Sequence, residues 1–208
     1  MPRPNRVSPF GDLVAVPERG LVYGNRGCLH DDRGRIRRRY AGRRWIACRL
    51  EFRGWHRSPL LQPGRFTELF FLDEATVFAA GHRPCALCRS ADLRRFLTLW
   101  ATPYPEETTV DAVDRRLHAE RLDDSRRGRR THEAAYAELP DGAMVAIDHE
   151  AWLVRGRTVR RWSFGGYRET VDRPEGLAEV LTPPSLLRLL AAGWSGEVPL
   201  LHPSALGT

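Results

Sequence analysis

An α+β fold is expected, with a small antiparallel sheet and short helices followed by a second small α+β module. Three features predict it. Residues 20–72 alternate apolar and polar positions, two capped amphipathic stretches follow up to residue 101, and residues 139–171 alternate again before a last apolar helical pattern. With 208 residues, 42 % of them hydrophobic and 9 % aromatic, the chain is long enough for one substantial core or two small ones and is not a disordered tail.

Taken in order, "LVYGNRGCLH", "RRWIACRLEF" and "RFTELFFL" read as antiparallel strands, broken by the turn signals Asp32-Arg33-Gly34 and Gln62-Pro63-Gly64. "LDEATVFAAGH" then reads as a short helix capped by Asp73, with Ala75, Phe78 and Ala79 on one face and Gly81 as its stop. "SADLRRFLTLW" repeats the form, with Ser90 as cap and Leu93, Phe96, Leu97 and Trp100 on one face. The Pro-rich break "TPYPEE" is the candidate boundary between a domain over residues 20–101 and a module over residues 108–208. Residues 108–138 are charged and read as mostly helical, interrupted by "DDSRRGRR". "LPDGAMVAI", "AWLVRGRTVRRW" and "YRETV" form a meander turning at Pro-Asp-Gly and Arg-Gly-Arg. "TPPSLLRLLAAG" is a final helix, with Thr182 or Ser185 as cap and Gly193 as stop.

The formal charge is +7, and all 33 basic residues are arginine. Such a balance suits an anionic partner such as nucleic acid, and equally a compositional habit of an arginine-only chain. The amino terminus "MPRPNRVSPF" lacks a signal-peptide core, and no apolar run approaches the roughly 20 residues that span a bilayer. A cytoplasmic protein with no membrane partner is therefore expected, its four cysteines being thiols or metal ligands rather than disulfides. Oligomeric state leaves no mark in the sequence.

The segment "AAGHRPCALCR", residues 79–89, carries the strongest chemical signal. Two cysteines, Cys85 and Cys88, stand two residues apart behind a turn stiffened by Pro84, so both thiolates can reach one ion while turn amides donate to the sulfurs. A redox dithiol is the competing chemistry. It normally follows a strand at a helix N-terminus, whereas here a helix precedes the pair, which favours zinc.

The stretch "FTELFFLDEATVFAAGHRPCALCR", residues 66–89, closely resembles the metal-binding half of the Ada-type zinc domain of bacterial alkylation-repair proteins. The resemblance covers about residues 43–90 and implies a zinc knuckle, with Cys48 in "RRWIACRLEF" matching the first cysteine of that family's first ligand pair. The matching second cysteine is absent: Phe52 stands there. A four-coordinate zinc then needs another donor. His56 is the first choice beside Cys48, Cys85 and Cys88, with His30, Cys28 and His82 as rivals. In the family the thiolate matching Cys48 accepts a methyl group from a DNA phosphotriester. A histidine in place of one thiolate reduces the negative charge that keeps such a sulfur nucleophilic, so a structural zinc is expected.

The neighbouring segment "RIRRRYAGRRW" spaces Arg35, Arg37, Arg39, Arg43 and Arg44 around Tyr40 and Trp45. As a hairpin it would set Arg37, Arg39, Arg43, Arg44 and Trp45 as a nucleic-acid-binding face, guanidinium groups for phosphates and aromatic rings for bases. In the second half, His118, Arg121 and His132 with Asp148, His149 and Glu150 form a weaker acid–base or hydrolytic candidate, without nucleophile motif or phosphate loop. Gly165 and Gly166, flanked by Trp162, Phe164 and Tyr167, form either a binding lip or a turn whose aromatics anchor a sheet. The functional expectation is a zinc-binding, nucleic-acid-binding protein. The alternatives are an enzyme, methyl acceptor or hydrolase, and a protein-interaction module with a purely structural zinc.

Overall fold

The computed structural model describes residues 2–54, 58–123, 125 and 128–206. The first half contains β1 (Pro4–Val7), β2 (Leu13–Ala15), β3 (Val22–Asn25), β4 (Ile46–Cys48), β5 (Leu69–Phe71), α1 (Glu74–Ala79), β6 (Arg83–Pro84) and α2 (Ser90–Ala101). After the Pro-rich break come α3 (Val110–Arg121), β7 (His132–Ala135), β8 (Met144–Ile147), β9 (Glu150–Arg155), β10 (Thr158–Ser163), β11 (Gly166–Asp172), β12 (Leu177–Val180) and α4 (Pro184–Ala191). The fold is α+β, with two six-stranded sheets ordered β2-β1-β5-β3-β4-β6 and β11-β10-β9-β8-β12-β7. Among the described residues, no helix is long and apolar enough to cross a membrane.

The first sheet is mixed. β3 pairs antiparallel with β4 and β5, whereas β1 runs parallel to β5 and β6 parallel to β4. Strands β1, β2 and β6 have two to four residues each, too few for a period of two to show in the sequence. The second sheet is antiparallel and contains the expected meander from β8 to β11, extended by β12 and β7. Residues 132–135, read as part of a helical region, form β7, because pairing with β12 satisfies a backbone that the break after α3 leaves open.

Helix α1 joins the two halves. Asp73 caps it by accepting from the Thr76 amide at 2.9 Å, and Gly81 (φ +78°) ends it as expected. The helix is buried all round rather than on one face. Val77 and Phe78 enter a core with Val22, Leu69, Phe96, Trp100, Val113 and Leu189. Ala75 and Ala79, four apart, pack instead against Met144, Leu153 and Tyr167 of the second sheet. The first core thus draws on residues from both sides of the Pro-rich break, because α3 and α4 pack back on it.

Caps differ in detail. Ser90 is the first residue of α2 rather than its cap, and α4 is capped from outside. The Glu120 carboxylate of α3 accepts from the Ser185 amide and hydroxyl at 3.1 and 2.6 Å, while Thr182 Oγ1 accepts from the Met144 amide at 2.9 Å. A carboxylate at a helix start satisfies open amides and complements the helix dipole.

A buried charge network holds α1, α2 and the carboxy-terminal segment together. The Arg89 guanidinium, fully buried, lies 2.5 Å from Glu74 Oε1 and donates to Asp92 Oδ2 at 2.6 Å, while Trp194 Nε1 donates to Glu74 Oε2 at 2.9 Å. Burial raises the Glu74 carboxyl to about 7, against the lowering pull of Arg89 and the Trp194 hydrogen bond. In the unfolded chain the same group titrates near 4.5. The folded state therefore binds the extra proton between these values, so this group's contribution to stability is complete below pH 4.5 and is lost as pH rises through 7. Glu74→Gln is expected to remove a decline of about 3 kcal/mol over that window, read as the difference between the two proteins' urea midpoints from pH 4.5 to 8. Parallel profiles would refute the assignment.

Candidate metal centre

A short parallel ladder brings distant cysteines together. Ile46 pairs with Arg83 and Ala47 with Pro84, and the Cys85 amide donates to the Ala47 carbonyl at 2.9 Å. Cys48, the last residue of β4, is thereby set beside Cys85, the first residue after β6. Pro84 suits this edge position because it has no amide to pair. The Arg83 guanidinium holds the turn from the other side, donating to both oxygens of Asp114 on α3 at 2.8 Å with both residues buried.

Cys85, Cys88 and Cys48 each offer a sulfur, and the three lie within 4.8 Å of one another. A tetrahedral zinc with Zn–S bonds near 2.3 Å separates its sulfurs by about 3.8 Å, so the group needs only a small contraction to hold an ion. Each residue is less than a tenth exposed, and Tyr23, Ile46, Phe52 and Phe70 pack around them. The Leu87 amide donates to Cys85 Sγ at 3.4 Å, and the Cys88 and Arg49 amides point at the Cys85 and Cys88 sulfurs respectively.

These contacts concentrate negative charge on one sulfur. Hydrogen bonds from the Cys48 and Cys88 thiols and from the turn amides hold Cys85 well below the usual thiol range. Cys48 is pushed well up by Cys85 and Cys88, and by burial. Cys88 is lowered by Cys48 but raised by Cys85 and burial, with a net upward shift. Cys85 is thus the first of the three to ionise, and a divalent ion would draw the protons from the others.

The position of the pair differs from the sequence argument in one respect. Helix α1 does precede it, but the two-residue strand β6 lies between, and Cys88 stands two residues before α2. That layout is the one redox dithiols use. The distinguishing feature is the third sulfur, Cys48, which a dithiol does not require.

His56, the expected fourth donor, lies outside the described residues. Its rivals are placed elsewhere. His30 uses both ring nitrogens, Nδ1 with Thr67 Oγ1 at 2.6 Å and Nε2 with the Gln62 carbonyl at 3.1 Å. Cys28 Sγ donates to the His30 carbonyl at 3.7 Å. His82 is fully buried between the Trp45 and Phe71 rings, and burial with nearby Arg26 and Arg121 drives its pKa well below the usual range. Among the described residues, only Cys48, Cys85 and Cys88 form a group of three that could hold a metal ion.

Residues 35–45 do not form the expected hairpin of strands. The segment is irregular apart from a single bridge between His30 and Ile36, so strand parity does not order its arginines. Arg37 and Arg39 are exposed and reach Asp31 and Asp12 at 3.4 and 2.9 Å, Arg43 approaches Asp111 at 4.0 Å, and Arg44 is exposed. Trp45 is a core residue at 4 % exposure, with the Arg26 and Arg121 guanidinium groups 4.7 and 3.8 Å from its ring centre. These two cations occupy the ring that the sequence offered to bases.

The carboxy-terminal candidates separate. Asp148 and His149 form an exposed turn with both φ values positive, joining β8 to β9. His118 sits against Tyr40 and accepts from Arg121 at 3.0 Å, and the structure does not gather it with Asp148, His149 or Glu150. The glycine turn is an anchor: Trp162 Nε1 donates to Thr76 at 3.0 Å, and the Tyr167 hydroxyl donates to Asp73 at 2.8 Å. Sequence pattern gives no sign that Arg83 and Arg89, on either side of the cysteine pair, are buried ion-pair partners. Among 33 basic residues, all arginine, nothing local distinguishes them.

Compared with family models, with curated proteins and with solved structures, the chain matches none.

Proposed function

We propose that the chain is a zinc protein in which Cys48, Cys85 and Cys88 provide three thiolates of a structural centre fastening β4 to the turn before α2. The observation that carries this reading is the convergence of three buried sulfurs from two segments 37 residues apart, with backbone amides aimed at them. Soft thiolate donors favour zinc over magnesium or calcium. Their burial favours a structural role over methyl transfer, because a reacting sulfur must meet its substrate. The resemblance to the Ada-type zinc domain agrees with the ligand positions, and the fourth donor of this reading is His56.

Native mass spectrometry of the purified chain is expected to show about one zinc per molecule, released on acidification as the thiolates protonate. Cobalt(II) in its place is expected to give thiolate-to-metal charge-transfer absorption. A chain that binds neither ion, or that shows a Cys85–Cys88 disulfide exchanging with thiols, would overturn the reading.

Nucleic-acid binding is a second reading, favoured by the row of exposed arginines from Arg35 to Arg44. Arg37, Arg39, Arg43 and Arg44 would meet phosphates by releasing from Asp31, Asp12 and Asp111. Affinity for a DNA duplex should then fall steeply with salt, and replacing Arg37, Arg39 and Arg43 by glutamine should reduce the slope of log affinity against log salt by about one per arginine. An unchanged slope would leave these side chains as a solvated surface.

A further inference from the structure

Away from the cysteines, two arginines are buried without a carboxylate partner. Arg26 and Arg121 are 1 % and 2 % exposed and make no ion pair among the described residues. Backbone carbonyl oxygen holds them: Arg26 Nη2 donates to Gly11 at 2.7 Å, and Arg121 donates through Nη1 to Gly81 at 2.8 Å and through Nη2 to Arg43 at 2.6 Å. The Nε–H of each is shielded from solvent and meets no acceptor. The carboxylates that act on them from further off, Asp12 on Arg26 and Asp114 on Arg121, are paired with Arg39 and Arg83.

Carbonyl oxygens satisfy N–H donors but leave the charge uncompensated, and an uncompensated buried cation is costly. Losing the proton offers no escape at neutral pH: burial, with Arg39 next in weight, lowers Arg26 only to about 9. Both guanidinium groups also lie against the Trp45 ring, 4.7 and 3.8 Å from its centre, and a ring face attracts a cation without neutralising it. Arg26, Arg121 and Trp45 line one cavity of about 20 Å³, with exposed Arg39 and half-buried Arg129 also on its border. That is room for about one water molecule. A carboxylate, phosphate or sulfate is too large for it. Water fits and accepts from N–H groups, but carries no charge. A monatomic halide has about the bulk of a water molecule, accepts from several N–H groups without a fixed geometry, and brings the missing negative charge.

We propose that this cavity is a chloride site, the ion lying among Arg26, Arg121 and Arg39 and serving as their counter-charge. Arg26 directly follows β3, Arg39 belongs to the arginine-rich loop and Arg121 ends α3, so the ion ties three segments of the chain together. It exchanges with solvent by way of the border at Arg39, which is exposed. The site is separate from the cysteine centre and does not depend on its metal.

The test uses the full chain at pH 7 with its metal content held constant. Chloride NMR linewidths are expected to show excess broadening that saturates at one ion per chain and is displaced by bromide but not by gluconate, which the cavity cannot admit. In urea, the unfolding midpoint should rise with chloride concentration relative to sodium gluconate of equal ionic strength. Arg26→Met is expected to weaken chloride binding by at least about tenfold. Should that variant fail to fold, Arg39→Gln decides the matter. It removes a cation from the border and leaves Asp12 to act on the site, so a severalfold loss is expected with an unchanged near-UV circular dichroism spectrum. Absence of saturable broadening, or full chloride affinity in whichever of these variants folds, would overturn the proposal and leave a water molecule as the occupant.

Discussion

Replacing Cys85 and Cys88 together by serine is expected to take the metal content from about one ion per chain to none and to destabilise the first sheet. Cys48 alone cannot hold the ion, and serine hydroxyls are poor donors to zinc at neutral pH. The loss in stability follows from mass action: an ion present at a thousandfold over its dissociation constant stabilises the folded state by about 4 kcal/mol. The double variant should therefore melt like the chelated wild type, and chelator should have no further effect on it. Scanning calorimetry with and without chelator, beside elemental analysis, makes the comparison. Full metal content in the double variant would remove the centre, and with it the structural role given to Cys48. The consequences should fall first on β4 and β6, because the second sheet has an apolar core of its own.

Arg89→Met is expected to cost about 3–5 kcal/mol at pH 8, where Glu74 is ionised. The substitution leaves Glu74 and Asp92 facing each other's field with the guanidinium gone, both being buried. At pH 5 the cost should be smaller, since Glu74 can take up a proton and become neutral. A second substitution, Glu74→Gln, should recover part of the loss at pH 8 by the same reasoning. Urea titrations followed by tryptophan fluorescence measure the loss, and Trp194, whose Nε1 donates to Glu74, contributes to that signal. A loss below about 1 kcal/mol, or one independent of pH, would mean that the charges are solvated in solution and that the network is not a buried one.

Both predictions concern side chains next to the same turn, and they show how unequally its parts were legible. Cys85 and Cys88 stand out because two thiols at this spacing, behind a proline, are rare and have few chemical uses. Arg89, one residue further, looks like any other arginine until Glu74 and Asp92 are seen around it. Short strands were similarly hidden: β6 has two residues, and its partner β4 lies 37 positions earlier, so no local period announces the ladder that joins Cys48 to Cys85. The arginine-rich loop misled in the opposite way. Alternating residues suggested a strand face, yet without ladder partners the segment took an irregular path and Trp45 turned inward against two guanidinium groups.

Taken alone, the sequence determined the α+β class, the Asp73 cap and Gly81 stop of α1, the meander, and the cysteine pair, since each rests on residues within one turn or one strand of each other. The tertiary structure decided how Cys48, expected from the family resemblance, comes to lie beside the pair, that α1 is shared by two cores, and that Arg26 and Arg121 are buried with no ion-pair partner among the described residues. Those outcomes depend on segments far apart in the chain. Burial, which sets the strength of a charge and the protonation of a thiol, exists only once those segments have packed.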